Sequence, residues 1–173
     1  MNLLKNFFYF LIIFIFLLST LNNNSVNNDL IVYPVDNYSQ ISSKYGNRVV
    51  FGKPNFHNGI DFPVKENTKV YSMSNGIVKF AGFNKSGYGN CIIVYHENGY
   101  SSLYGHLSDN FKVNIGDNVK CGELIGFVGP KILSNGITNG FTTGVHLHFS
   151  IFSKDGKPID PLLLNYTKKQ EAF

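Results

Sequence analysis

Alanine is nearly missing from this 173-residue chain, with two residues in all, and no stretch repeats apolar residues at the 3.6-residue period of an amphipathic helix. Those two absences exclude a helical bundle. Cysteine is also scarce: Cys91 and Cys121 are the only two, and neither sits in a C-x-x-C pair, which excludes a cysteine-ligated zinc site. A disulfide between them requires a proximity that the fold must supply, and by default they read as buried thiols. Basic residues are in slight excess, for a net charge of +4, but no Lys/Arg run is interleaved with stacking aromatics. That excludes a nucleic-acid partner. Such diffuse positive charge suits an anionic polymer of the cell envelope.

One apolar run is long. Residues 7–18 are unbroken apolar behind Lys5, the pattern of an export signal. A membrane-spanning helix needs about 20 apolar residues, more than this run supplies, yet no small-x-small cleavage site follows Ser19-Thr20-Leu21. A cleaved signal and a retained anchor both remain open. The expected layout is residues 1–21 as signal peptide or N-terminal membrane anchor and residues 22–30 as an Asn/Ser-rich linker with little to bury. Residues 31–165 then form one folded domain and 166–173 a tail. The expected location is the periplasm, the cell envelope or the outside of the cell, with attachment to the inner membrane if the first segment is retained.

Within the folded part, glycine, β-branched residues and aromatics mark short strands over residues 49–51, 69–71, 76–80, 91–96 and 100–106. Asn98-Gly99 is a two-residue hairpin signal. Residues 113–126 alternate apolar positions with glycine turns and predict tight hairpins. A connection rich in Gly, Asn and Thr, residues 130–142, leads into the last strand; loops of this kind often border sites and contribute little core, so shortening it is expected to change activity and spare the fold. These features predict an all-β domain, a largely antiparallel sheet or barrel-sandwich with a groove lined by loops.

The chemistry lies in the histidines. On a strand, residues i and i+2 share a face, so His146 and His148 are expected side by side, with Val145, Leu147 and Phe149 packed into the core behind them. In His57-Asn58-Gly59-Ile60-Asp61, Pro54, Pro63 and the Asn-Gly turn exclude a helix. His57 is then expected at the end of a loop and Asp61 on the strand it feeds, a junction that can bring both to one ion. His106 ends a strand with Tyr104 on the same face. His96 lies beside the Asn98-Gly99 turn and reads as a strand-end residue to which the sequence assigns no role.

Four spaced motifs carry a resemblance that covers residues 33 to 161: His57-x-Gly59-x-Asp61, Tyr104-x-His106-Leu107-Ser108, Gly116-Asp117-x-Val119-x-x-Gly122-x-x-Ile125-Gly126, and Thr143-Gly144-x-His146-Leu147-His148-Phe149. The chain resembles the lysostaphin-type, LytM-like M23 family of zinc metallopeptidases that cleave peptidoglycan. The resemblance implies that His57, Asp61 and His148 bind one Zn²⁺ per chain, with His106 and His146 catalytic beside it. Two neutral imidazoles and one carboxylate leave zinc a net positive charge and an open fourth position, which suits the activation of water. His146, beside His148, is the favoured base. The chain departs from the family in its longer 130–142 segment, in Ser150 where glutamate is common, and at residues 66–69. Two other readings stand beside the enzyme. One is a catalytically silent relative that binds peptidoglycan or activates another cell-wall hydrolase. The other is a lipoyl- or biotinyl-type carrier, suggested by the Gly116-Asp117 motif, which lacks a lysine-presenting turn and leaves the histidines unexplained.

Overall fold

The computed structural model describes residues 30–36 and 38–167, so the segment expected to direct export and nearly all of the expected linker lie outside it. In chain order the strands are β1 (Gly46–Val50), β2 (Lys53–His57), β3 (Ile60–Phe62), β4 (Lys69–Tyr71), β5 (Gly76–Asn84), β6 (Gly89–His96), β7 (Ser101–Gly105), β8 (Asn118–Val119), β9 (Leu124–Phe127), β10 (Leu147–Phe152) and β11 (Pro158–Ile159). Every pairing between them is antiparallel, and no α-helix occurs among the described residues. The all-β, antiparallel expectation holds.

The large sheet runs β11-β10-β7-β6-β5-β8, with β3 also on β10. Along one edge β10 pairs with β7; along the other it takes β3 beside residues 147–149 and β11 beside residues 151–152. Period-two alternation sorts the side chains. Leu147, Phe149 and Ile151 join Ile60, Phe62, Ile92, Val94 and Tyr104 in the core, and His148 and Asp61 are left on the opposite face.

Two local expectations change. His57 ends a strand rather than a loop: β1 and β2 form a hairpin whose tip, Phe51 and Gly52, has positive φ at both residues. Pro54 is tolerated because a two-stranded ribbon has only edge strands. Residues 113–126 do not form hairpins among themselves. The first of their two turns, closed by Asn114–Asp117 hydrogen bonds, leads into β8, which pairs with β5, and the second, closed by Lys120–Glu123 hydrogen bonds, hands the chain to β9, which pairs with β4. No disulfide forms; Cys91 is buried, which pushes its thiol up to about 12, whereas Cys121 is only half-buried. Tyr166 stacks on Tyr33 at 3.9 Å and the Thr167 N–H donates to Ile31 O, so the two ends of the described chain meet.

His96 is not a bystander of its turn. It follows Ile92 and Val94 on the core-facing side of β6, is 1% exposed, and bonds Asn75 O through Nδ1 and Ser102 Oγ through Nε2. His96→Ala is expected to lower stability by roughly 2–4 kcal/mol, from a cavity and buried groups left unpaired. Denaturant unfolding measures this, and metal content should not change.

Candidate metal centre

Three strands meet at the site. β2 delivers His57 as its last residue, the Asn58-Gly59 turn reverses the chain, and β3 carries Asp61 between core-facing Ile60 and Phe62. Space dictates Gly59: a Cβ there would lie 2.3 Å from Phe149 O and 2.5 Å from Ser150 Oγ. On β10, His148 stands opposite Asp61 on one side and Gly105 on the other.

His57 Nε2, Asp61 Oδ1 and His148 Nδ1 form a triangle. Its edges are 3.0 Å between the histidines, 3.1 Å from His57 to Asp61 and 3.0 Å from His148 to Asp61, and all three residues are buried. Donors about 2.0–2.1 Å from one tetrahedral ion lie roughly 3.3 Å apart, close to this span. Protons point the same way. His57 Nδ1 is 2.9 Å from Lys44 O, and a carbonyl only accepts, so the hydrogen of neutral His57 sits on Nδ1 and its Nε2 lone pair faces inward. Two imidazole nitrogens and a carboxylate oxygen thus converge, and a cation fits between them. Among the described residues this is the one group of three His, Cys, Asp or Glu donors close enough to hold a metal.

His106 and His146 border that triangle. Their rings are 4.7 Å apart, His106 is 6.0 Å from the ring of His148, and His146 Nε2 lies 3.5 Å from Asp61 Oδ1. Each is tied to a carbonyl through Nδ1, His106 to Asn139 at 2.6 Å and His146 to Gly144 at 3.0 Å. Both neutral rings therefore keep an Nε2 lone pair free. Burial draws His106 down to about 3, reinforced by His146 and His148 and opposed by the Asn139 carbonyl and Asp61. Burial also lowers His148, against the pull of Asp61. Burial by itself would raise Asp61, but its close contacts with His148 and His57 outweigh it and hold the carboxyl well below the usual range.

Residues 55–161 match the model of peptidase family M23. The chain belongs to that family. This M23 domain is 32% identical over 147 residues to the peptidoglycan DD-endopeptidase ShyA of Vibrio cholerae, an alignment covering 83% of the chain and 32% of ShyA. A zinc-containing peptidase from Vibrio cholerae superposes with a TM-score of 0.65 at 31% identity, covering 81% of this chain and 41% of that one. The catalytic domain of lysostaphin from Staphylococcus simulans superposes with a TM-score of 0.61 at 31% identity, covering 73% and 91%. The chain spans about a quarter to a third of the length of the curated relatives it matches.

Two expectations about this M23 site are corrected. His146 lies just before β10 rather than on it, and Val145 is 39% exposed instead of packed in the core; His146 reaches the site because the preceding turn, closed by Thr142 and Gly144, aims it. Tyr104 does not share a face with His106. It is buried in the core with its hydroxyl on the Met73 N–H, and His106, beyond the end of β7, adopts a left-handed φ of 59° that breaks the alternation and swings it into the site.

Several contributors had no distinguishing signal in the sequence. Arg48, the only arginine in the chain, donates to Asp61 Oδ2 at 3.2 Å and to Ser43 Oγ at 2.6 Å, neutralising the outer edge of the carboxylate. Asn139 is fully buried: its Oδ1 accepts from the Asn90 N–H, its Nδ2 donates to Leu107 O and Pro130 O, and its carbonyl holds His106. The 130–142 loop is therefore pinned through Asn139. Glycine makes this possible, since a Cβ on Gly89 would lie 2.2 Å from Asn139 Oδ1 and one on Gly140 2.2 Å from Gly87 O. Asn139→Ala is expected to lower stability by roughly 2–4 kcal/mol through the buried groups it orphans and to slow turnover by loosening His106, with metal retained. Thermal unfolding and metal analysis on one sample check both parts.

Proposed function

We propose that this M23 protein is an exported zinc metalloendopeptidase that hydrolyses peptide bonds in the stem peptides or cross-bridges of bacterial peptidoglycan. His57, Asp61 and His148 are its ligands for one zinc ion per chain, and His106 and His146 are its catalytic residues. The observation that carries this reading is the convergence of His57 Nε2, Asp61 Oδ1 and His148 Nδ1, with edges of 3.0 to 3.1 Å. ShyA, a peptidoglycan DD-endopeptidase, supports the substrate class, and the zinc-containing Vibrio cholerae peptidase supports the metal. Residues 5–18 support export and residues 22–30 a linker, ahead of a catalytic domain over 31–165 and a short tail.

When bound, zinc supplies a Lewis acid that acidifies water and polarises a peptide carbonyl. The protein supplies the proton path. His106, kept neutral by burial and with its Nδ1–H on Asn139, offers Nε2 to a water O–H and orients it. His146, its Nδ1 held on Gly144 O, offers the second Nε2 and takes the proton. The same nitrogen then delivers it to the leaving amine.

The test uses the full chain and purified cross-linked muropeptides, with product masses naming the bond. Cleavage is expected from protein holding one zinc, to stop on chelation and to return with zinc. Undiminished cleavage by stripped protein overturns the metal assignment. A folded, zinc-loaded protein that cleaves no muropeptide overturns the enzyme and favours the silent envelope protein.

A further inference from the structure

His148 presents Nδ1 to the site, so its other nitrogen decides whether that lone pair is available. Nε2 lies 2.7 Å from Ser150 Oγ, two residues along β10. Ser150 Oγ lies 3.3 Å from Asn58 Oδ1, and Asn58 Nδ2 donates to the hydroxyl oxygen of Tyr88. The roles along this chain run one way. An amide nitrogen only donates, which leaves Asn58 Oδ1 to accept; Ser150 gives its one hydrogen to Asn58 and accepts from His148. The His148 hydrogen then sits on Nε2 and the lone pair on Nδ1. Ser150 is fully buried, and the absence of a side chain at Gly59 gives its hydroxyl room, so the turn that aligns Asn58 also accommodates Ser150. Tyr88 closes the circuit, with its ring 5.5 Å from that of His148.

We infer that Ser150 and Asn58 are positioning residues, a hydroxyl–amide relay that holds His148 in the metal-binding tautomer and couples it to Tyr88 in the loop between β5 and β6. The inference rests on the zinc reading above. A hydroxyl, unlike a carboxylate, has a hydrogen of its own to place, so Ser150 works only with an acceptor behind it. Asn58 is that acceptor, and the two positions act as one unit.

The test measures zinc affinity of the full chain by competition with a chromophoric chelator, and the His148 tautomer from ring nitrogen NMR shifts of the metal-free protein. Ser150→Ala is expected to weaken zinc binding about 10- to 100-fold, the usual effect of removing the hydrogen-bond partner of a ligand histidine, and to mix the two His148 tautomers. Asn58→Ala should do the same to a smaller degree, and the double variant should lose no more than Ser150→Ala alone. A folded Ser150→Ala variant with parental zinc affinity and an unmixed His148 spectrum overturns the relay and leaves the zinc reading intact; so do additive losses. A parent chain that binds no zinc removes the zinc reading itself. If Ser150→Ala does not fold, Asn58→Ala, on a partly exposed turn, carries the spectral test: an unchanged tautomer overturns the relay.

Discussion

Replacing His57, Asp61 or His148 with alanine is expected to abolish metal binding and muropeptide turnover together. Three protein ligands are the minimum of a catalytic zinc site, and each of these residues occupies one corner of a triangle whose edges are 3.0 to 3.1 Å. No neighbour can take over a corner: His146 Nε2 is 3.5 Å from Asp61 Oδ1 but is held by its Nδ1 bond to Gly144, and His106 is anchored on Asn139. The loss of affinity should exceed the about 10- to 100-fold that follows removal of a ligand's hydrogen-bond partner. Asp61→Asn serves as the companion variant, because it keeps the shape of the side chain and removes the charge that Arg48 and the two histidines surround. Metal analysis and turnover on the same preparations read both effects. Stoichiometric zinc in any one of the three alanine variants removes that residue from the ligand set.

The sequence revealed the parts of this arrangement that depend on chain-local geometry. The strand over residues 69–71 matches β4 at both ends, and the Asn98-Gly99 hairpin joins β6 to β7 with Gly99 at a φ of 84°. Alternation places His148 on a strand and the Asn58-Gly59 turn places Asp61 on another, and the two lie opposite each other in the β3–β10 pair. Where alternation ends, so did legibility. His106 and His146 sit one residue beyond β7 and one before β10, and their directions come from a left-handed backbone and a Thr-Gly turn. The groups that fix the ring tautomers were less visible still. Three are backbone carbonyls, of Lys44, Asn139 and Gly144, and any residue type supplies a carbonyl. His96 illustrates the converse. The same turn that identified its place on the strand gave no hint that its two nitrogens close a buried network with Asn75 and Ser102.

His106→Ala and His146→Ala are expected to keep zinc while the rate falls by roughly 10² to 10⁴, the range for loss of an acid–base group. Neither side chain is a corner of the donor triangle, so metal content should match the parent. The two should differ in how they can be repaired. His146 is only partly buried, and a base removed from an accessible position leaves a gap that a small imidazole in solution can enter; its variant should regain part of its rate on addition of imidazole. His106 is buried, and its nitrogen is placed by the 2.6 Å bond to a carbonyl that belongs to the pinned loop. Free imidazole has no such anchor, so His106→Ala should stay slow. Metal loss in His146→Ala with retention in His148→Ala would exchange the roles of the two residues. Parental turnover in His106→Ala would remove His106 from the proton path and leave His146 as the single base.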